Sequence, residues 1–137
     1  MEAIKHFIAQ NDRFAMHAGI ELLEVTEGTA TARMKITQQH LNGVNIVHGG
    51  AIFTLADLTF AAASNSHGTV AVAINVSIAY IKAISRGTLF AKAREISRHP
   101  RLALYLVDIT DDGGDLVATF QGMVYRKKEK LLEVTSQ

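Results

Sequence analysis

The chain has 137 residues, which suits one domain, because two domains would each be too short to bury a solid core. Hydrophobic residues make up 48% and charged residues 20%, which argues against wholesale disorder, and the net charge of +1 gives no electrostatic reason to expect a nucleic acid as partner. The absence of cysteine excludes disulfides and thiolate chemistry, and it fits a cytoplasmic protein.

No targeting segment or membrane span is expected. The opening "MEAIKHFIAQNDRF" interrupts its apolar residues with charges too often for a signal peptide. The apolar stretch from Ala51 to Ala63 has 13 residues, fewer than the roughly 20 that span a bilayer. It also contains Asp57, which is costly at membrane depth.

The chain begins with a predicted helix over residues 1–18, which Gly19 ends. The apolar residues with roughly helical spacing in this segment are Ile4, Phe7, Ile8, Phe14 and Ala18. Two strands hinged at Glu27-Gly28 follow, Ile20 to Thr26 and Thr29 to Ile36.

After a loop over residues 38–47, Gly49-Gly50 opens an apolar helix that should run to about Ser64. Four more strands are predicted, and these are Val70 to Ala83, Thr88 to Arg98, Leu102 to Thr110 and Leu116 to Lys127. Residues 128–137 read as a polar tail. The whole chain, 1–137, is therefore predicted to be one α+β domain in which a mostly antiparallel six-stranded sheet wraps around one central apolar helix.

Asp57 is the only Asp, Glu, Lys or Arg between His48 and Lys82, and it lies in the middle of the apolar helix. At helical spacing it forms a thin polar stripe with Thr54 and Ser64. One interpretation is a structural carboxylate that is hydrogen-bonded to backbone or to a partner chain. The other is a catalytic base or nucleophile, because carboxylates with perturbed pKa values cluster at active sites.

His48-Gly49-Gly50 lies at the start of the same helix. Free N–H groups and the helix dipole at this end could polarise a carbonyl and hold the oxyanion that follows attack on it. Gly49 and Asp57 are separated by about 12 Å of helical rise, so one carbonyl carbon cannot lie near both. If both groups act together, Gly49 of one chain must meet Asp57 of another, which requires at least a dimer.

The stretch "LNGVNIVHGGAIFTLADLTFAAASNS" resembles the signature of the hotdog-fold acyl-CoA thioesterases of the phenylacetate-degradation (PaaI-like) type. Members carry Asn-Gly, then His-Gly-Gly, then an apolar helix with a Leu-Ala-Asp core. The resemblance covers roughly Phe14 to Arg126 and implies a hotdog fold. It also implies hydrolysis of acyl-CoA thioesters, of the aryl-acyl (phenylacetyl-CoA) or medium-chain kind, to free acid and CoA.

The resemblance also implies roles for four residues. Asp57 would be the nucleophile or the general base, and the Gly49 N–H would polarise the thioester carbonyl from the opposite subunit. Asn42 would help to position the thioester or the water, and His48 would shape and hydrogen-bond the turn. Paired subunits would form a continuous sheet, and two dimers would form a homotetramer. No cofactor is implied, because CoA is part of the substrate.

Further residues are candidates for substrate binding. Gly50, Thr54, Phe53 and Ser64 line the same helix, and Phe53 could equally be plain core. The CoA phosphates need cations; the candidates are Lys82, Arg86, Arg98 and Arg101. Ala73 and Ala83 stand where the family often has a polar residue and a proline, which bears on substrate preference. The six histidines show no close metal-ligand spacing, so no metal site is predicted.

Two other functions remain open. A hotdog-fold dehydratase or hydratase acting on acyl thioesters usually pairs a His with a later Glu or Asp, and the helix after His48 offers only Asp57. A non-catalytic acyl-CoA sensor is the second alternative, because fold does not fix function. A binding module has no need for a carboxylate aimed at the thioester, so Asp57 distinguishes an enzyme from a sensor.

Overall fold

The computed structural model describes residues 1–134. Its α-helices are α1 (Glu2–Asn11), α2 (Arg13–His17) and α3 (Gly49–Asn65). Its strands are β1 (Ile20–Thr26), β2 (Thr29–Lys35), β3 (Thr69–Tyr80), β4 (Thr88–Arg98), β5 (Leu102–Thr110) and β6 (Leu116–Lys130). Short 3-10 turns lie at Gln38–His40 and Leu131–Glu133.

The strands form one antiparallel sheet in the order β1-β2-β4-β5-β6-β3. All six strands contact α3, so the sheet curls around the helix. The predicted α+β class, with a six-stranded antiparallel sheet around one apolar helix, is confirmed. Within residues 1–134 no helix is both long and apolar enough to cross a membrane.

The predicted N-terminal helix over residues 1–18 is corrected to two helices. The backbone leaves helical geometry at Asp12 (φ −84°, ψ 85°), whose carboxylate accepts the Ala15 N–H at 3.0 Å and caps α2. This restart changes which residues face the core. Ala15 is therefore buried, whereas Phe14, predicted to lie on the apolar face, is 69% exposed.

Most strand bounds agree with the sequence prediction. The bounds of β1, β4 and β5 coincide with it, but β6 continues to Lys130, three residues into the predicted polar tail. Leu131 is buried beyond it, so the predicted polar tail over residues 128–137 is corrected at its start, and residues 135–137 lie outside the described part. The strand is longer because it pairs with β3 as far as Thr69.

Aromatic packing fixes α3 on the sheet. The Phe60 ring lies 5.8 Å from Tyr105 and 5.3 Å from Phe120, between ring centroids. A Cβ on Gly122 of β6 would lie 2.6 Å from the Phe60 ring, so only glycine admits the ring at this depth. This contact fixes the face that α3 turns away from the sheet.

Strand β3 is one edge of the sheet, and much of its apolar surface is uncovered. Val72, Ile74 and Tyr80 are 38%, 54% and 51% exposed, and Ile81 just after the strand is 58% exposed. An open edge with apolar side chains is a template for pairing with another chain. Among the described residues β3 pairs on one side only, with β6.

Candidate active site

The side chain of His48 caps the N-terminus of α3. This residue is extended (φ −60°, ψ 134°), and its Nδ1 accepts the Gly50 N–H at 2.8 Å. A Cβ on Gly50 would lie 3.0 Å from that nitrogen, so glycine permits the close approach. The hydrogen-bond network therefore assigns the ring proton to Nε2. His48 thus makes a hydrogen bond within the turn, and its Nε2–H has no acceptor within residues 1–134.

The Gly49 N–H is the donor in the first turn of α3 that has no acceptor within residues 1–134. The Gly50 N–H is taken by His48, and the N–H groups of Ala51 and Ile52 reach the His48 carbonyl at 2.9 and 3.3 Å. The free N–H coincides with the partial positive charge of the helix N-terminus. This combination suits an oxyanion that develops beside it.

Tyr80 at the end of β3 packs on the other side of Gly49. Its hydroxyl donates to the Gly49 carbonyl at 3.0 Å, and a Cβ on Gly49 would lie 3.1 Å from the ring. The hydrogen bond from Tyr80 thus connects the start of α3 to the edge strand.

Asp57 lies half-buried in the middle of α3, and its carboxylate has no hydrogen-bond or salt-bridge partner within the described residues. Burial raises the pKa of Asp57 above its ordinary value, and the negative charge of Asp12 raises it further. A purely structural carboxylate in one chain would be expected to have a partner. The absence of one within residues 1–134 favours a group that acts on a ligand or meets a second chain.

Two other carboxylates of the fold, unlike Asp57, accept hydrogen bonds from neighbouring side chains. Lys82 donates to Asp111 at 2.6 Å and thereby lowers the pKa of that carboxyl. Burial alone raises the pKa of Glu95, but hydrogen bonds from Tyr105 and His67 outweigh it, so the net shift is downward. Asp57 differs from both, because its pKa is raised and it has no hydrogen-bond donor within residues 1–134.

The outward-facing residues of α3 form one strip, Gly50, Thr54, Asp57 and Ala61, at three- and four-residue spacing. The Thr54 hydroxyl donates to the Gly50 carbonyl at 2.7 Å. Ser64, predicted to continue the polar stripe, is 1% exposed, and its hydroxyl donates to the Ala61 carbonyl at 3.2 Å. The Ser64 hydroxyl therefore lies behind the strip rather than on it.

Two other predicted site residues also have structural contacts. The Asn42 side-chain oxygen accepts the N–H groups of Val44 and Ile46 at 3.0 and 3.3 Å, which leaves its Nδ2 as a donor. The Phe53 ring lies edge-on to Phe120 with centroids 5.5 Å apart. Phe53 is half-buried, so part of it belongs to the core.

A cavity of about 630 Å³ opens beside the strip, between α2 and the first turns of α3. This volume is in the range of small-molecule pockets. Its lining residues include Phe14, His17, His40, His48, Gly50 and Thr54. Phe14 and His17 were missed as site residues, because the sequence pattern assigned Phe14 to the core and gave no signal for the break at Asp12.

The four candidate phosphate-binding cations divide into two groups. Lys82 and Arg86 precede β4, whereas Arg98 and Arg101 lie at its other end, about 33 Å away at the rise of a strand. Lys82 is held by Asp111 and also by Asp115 at 3.0 Å, so it is already paired. One subunit therefore does not gather all four around one phosphate.

Arg98 and Arg101 lie near a second, smaller cavity. Arg98 NH1 contacts His67 Nδ1 at 2.6 Å, and Arg101 donates to the Arg126 carbonyl at 3.4 Å. Within the described residues no cluster of His, Asp or Glu could hold a metal ion.

Gly49 and Asp57 lie on one continuous helix, eight residues apart. The rise between them is about 12 Å, so a single chain does not bring the free N–H and the carboxylate to one reacting carbon. The Gly49 N–H could stabilise an oxyanion and the Asp57 carboxylate could act as a base or nucleophile. Within one chain, however, they are too far apart to act on the same thioester.

Comparison with known proteins places this chain among thioesterases. Residues 44–118, which contain both Gly49 and Asp57, match the family model described as the thioesterase superfamily. The acyl-coenzyme A thioesterase PaaI of Escherichia coli is 36% identical over 122 residues, which cover 88% of this chain and 87% of that protein. A putative esterase of Archaeoglobus fulgidus is 42% identical over 130 residues, 94% of this chain and 84% of that protein.

The fold also resembles that of a PaaI protein. The structure of the E. coli PaaI protein from the phenylacetic acid degradation operon superimposes with a TM-score of 0.85 at 32% sequence identity. The match covers 93% of this chain and 98% of that chain.

Proposed function

The chain belongs to the thioesterase superfamily as a PaaI-like hotdog thioesterase, and from this premise we propose that it hydrolyses acyl-CoA thioesters with Asp57 and Gly49 of opposite subunits. The observation that carries the proposal is the pair of unsatisfied groups on α3. Within residues 1–134, one is a carboxylate without a donor, and the other is an N–H without an acceptor.

The proposed reaction breaks the bond between the thioester carbonyl carbon and sulfur. Asp57 removes a proton from an attacking water, or attacks the carbonyl itself and is later released by water. The carbonyl oxygen becomes an oxyanion that accepts the Gly49 N–H of the opposite subunit. Collapse of the intermediate expels CoA as a thiolate, which is protonated. Either route consumes one water and yields the free acid and CoA.

The proposed dimer forms through the open edge of β3. If β3 pairs antiparallel with its copy, the Tyr80 end of one strand lies opposite the Thr69 end of the other. Tyr80 is bonded to Gly49, and Thr69 lies just beyond the C-terminal end of α3. Pairing therefore moves Gly49 toward the Asp57 half of the partner's helix and covers the exposed side chains of β3. Two such dimers form the proposed homotetramer.

The proposed acyl pocket is the 630 Å³ cavity together with the strip beside it. Its volume suits an aryl-acyl group or a medium aliphatic chain. Gly50 and Thr54 line it directly, and Phe53 lies on the same helix. Asn42, with its free Nδ2, is proposed to orient the thioester or the water.

The test is thiol release from phenylacetyl-CoA, benzoyl-CoA, hexanoyl-CoA and palmitoyl-CoA by wild type and Asp57→Asn. We expect release by wild type and a loss of roughly 10²- to 10⁴-fold in the variant, the usual contribution of a positioned acid–base group. Asp108→Asn, a change to a carboxylate bonded to Thr119 on another part of the sheet, is the matched control and should keep full rate.

The panel also tests the alternatives. Tight acyl-CoA binding without thiol release by wild type would identify a sensor. Equal rates for wild type and Asp57→Asn would remove Asp57 from the mechanism, provided that both proteins keep the same circular dichroism and size.

A further inference from the structure

The cavity of about 630 Å³ beside α3 has one wall that a short helix provides. This wall is α2, which has only five residues and brings Phe14 and His17 to the cavity. A helix of this length is not stable by itself, because so few hydrogen bonds do not offset the cost of nucleation. The position of α2 therefore depends on packing and on the groups that hold its two ends.

Both ends of α2 are held by side chains. At the N-terminal end the Asp12 carboxylate accepts the Ala15 N–H, which is a cap within the same segment. At the C-terminal end the carbonyl of Ala18, the C-cap residue, lies 2.6 Å from Nε2 of His40, which is 22 residues further along the chain. The last carbonyls of a helix have no partner inside the helix, so this contact satisfies one of them. It also connects α2 to a distant part of the fold.

The His40 ring is held in one orientation and one tautomer. It is 8% exposed, and its Nδ1 accepts the Thr37 N–H at 3.0 Å in the turn that includes Gln38–His40. Since a backbone N–H only donates and a carbonyl only accepts, the hydrogen-bond network places the ring proton on Nε2, where it is donated to Ala18. The turn therefore directs the donor that reaches α2.

His40 also contacts the start of α3, but it does so through its backbone. Its carbonyl accepts the His48 N–H at 2.7 Å, and His48 caps the first turn of α3. His40 thus lies where three walls of the cavity meet, namely α2, the 37–40 turn and the first turns of α3. A substitution at position 40 removes the side-chain bond to α2 and keeps the backbone bond to α3.

Phe14 is the large apolar side chain that α2 presents to the cavity. It is 69% exposed, and it lines the cavity together with Gly50 and Thr54 of α3. A shift of α2 would move this ring relative to α3 and would change the width of the cavity. The position of α2 therefore determines how large a group can lie beside Thr54.

We propose that His40 is a positioning residue for acyl selectivity. Its Nε2–H bond to the Ala18 carbonyl sets the position of α2, and Phe14 transmits this position to the acyl group. This inference rests on the proposed thioesterase function and on the acyl pocket proposed with it. Because His40 acts through α2 rather than on the thioester carbonyl, selectivity among acyl groups should depend on it more than kcat does.

Two substitutions separate the two hydrogen bonds of the His40 ring. Gln can place an amide N–H near the position of Nε2, so it keeps a donor toward Ala18. Asn places an acceptor near the position of Nδ1, so it keeps the bond to Thr37 and does not reach Ala18. His40→Asn is therefore the disrupting variant, and His40→Gln is the rescue. His6→Asn, at an exposed histidine of α1, is the matched control.

The test measures kcat/KM for hexanoyl-CoA and for decanoyl-CoA, which differ only in chain length. We expect His40→Asn to lower the ratio of the hexanoyl to the decanoyl value about three- to tenfold, the change that corresponds to one net hydrogen bond. The loss should appear as a higher KM for hexanoyl-CoA with kcat little changed. His40→Gln should restore most of the ratio, and His6→Asn should leave it unchanged. An unchanged ratio in His40→Asn, or an equal loss of kcat on both substrates, would overturn the proposal.

A double-mutant cycle with Phe14→Ala tests the route of the effect. If His40 acts through the Phe14 ring, Phe14→Ala alone should lower the ratio, and His40→Asn should change it little further in that background. Additive losses from the two substitutions would show that His40 acts by another route, and they would contradict the proposal.

Hydrogen exchange measured by mass spectrometry keeps this result separate from the thioesterase proposal. His40→Asn should raise the exchange of the amides of residues 13–19, His40→Gln should not, and the amides of α3 should stay protected in both variants. If wild type hydrolyses no acyl-CoA, the proposed function fails, and this exchange pattern would still support the positioning of α2 by His40. Unchanged exchange at residues 13–19 in His40→Asn, or raised exchange throughout the chain, would contradict it.

Discussion

At the scale of single residues, Asp57 is a carboxylate whose environment favours its protonated form. Burial raises its pKa, Asp12 faces it with a like charge, and no donor within residues 1–134 stabilises its ionised form. This is the opposite of Asp111, which Lys82 holds ionised. A raised pKa makes the carboxylate a stronger base near neutral pH than an ordinary aspartate.

The charge of Asp12 can be removed without removing the helix cap, because Asn caps a helix about as well as Asp. Asp12→Asn should lower the pKa of Asp57, so Asp57 ionises at lower pH. We expect the acidic limb of the kcat/KM profile to shift to lower pH, with an unchanged rate on the plateau. A profile identical to that of wild type would show that Asp12 does not act on the base.

The raised pKa also predicts how stability depends on pH. Since folded Asp57 holds its proton more tightly than unfolded Asp57, its contribution to stability is fully present below the unfolded pKa and is lost as pH rises through the folded pKa. Asp57→Asn should therefore be more stable than wild type at neutral pH. The difference should shrink as pH falls toward the ordinary aspartate range. Parallel urea unfolding across this range measures it, and a less stable variant at neutral pH would contradict the assignment.

At the scale of elements, the packing of α3 on the sheet depends on one missing side chain. Gly122→Ala would place a Cβ 2.6 Å from the Phe60 ring, which is itself packed between Tyr105 and Phe120. We expect a loss of about 1–3 kcal/mol in the free energy of unfolding, the usual cost of overpacking. Gln121→Ala, at the exposed neighbouring position, should cost much less. Equal values for the two variants would refute this role for Gly122.

Strands were predictable where one face is buried within the chain. Alternate residues of β5 are buried, and its bounds coincide with the prediction. β3 does not alternate in this way, because its apolar side chains lie on the open edge, and its predicted end was three residues late. Local pattern also failed at Asp12, where a capping side chain rather than a glycine or proline breaks the helix.

The candidate site was predictable only in part. Asp57 and Gly49 could be found because a lone carboxylate and a Gly-Gly helix start are local features. The cavity under α2 was not, because it depends on segments far apart in the chain.

In the assembled molecule, each proposed active site takes Asp57 from one subunit and Gly49 from the other. Two inactive variants can test it. Asp57→Asn removes the base. Gly49→Pro removes the N–H at the first helical position, where proline is well tolerated, and the extended backbone of His48 suits a following proline. Gly49→Ala is the control that meets the Tyr80 ring in the same way but keeps the N–H.

The most direct measurement is the rate of thiol release after Asp57→Asn and Gly49→Pro are unfolded together in equal amounts and refolded. In a mixed dimer, one site combines both defects, and the other combines the intact Asp57 with the intact Gly49. Random pairing should therefore restore about a quarter of wild-type activity, although each variant refolded alone should keep at most about a hundredth. Mixed dimers that form, as shown by mass spectrometry, and remain inactive would contradict a site shared between subunits.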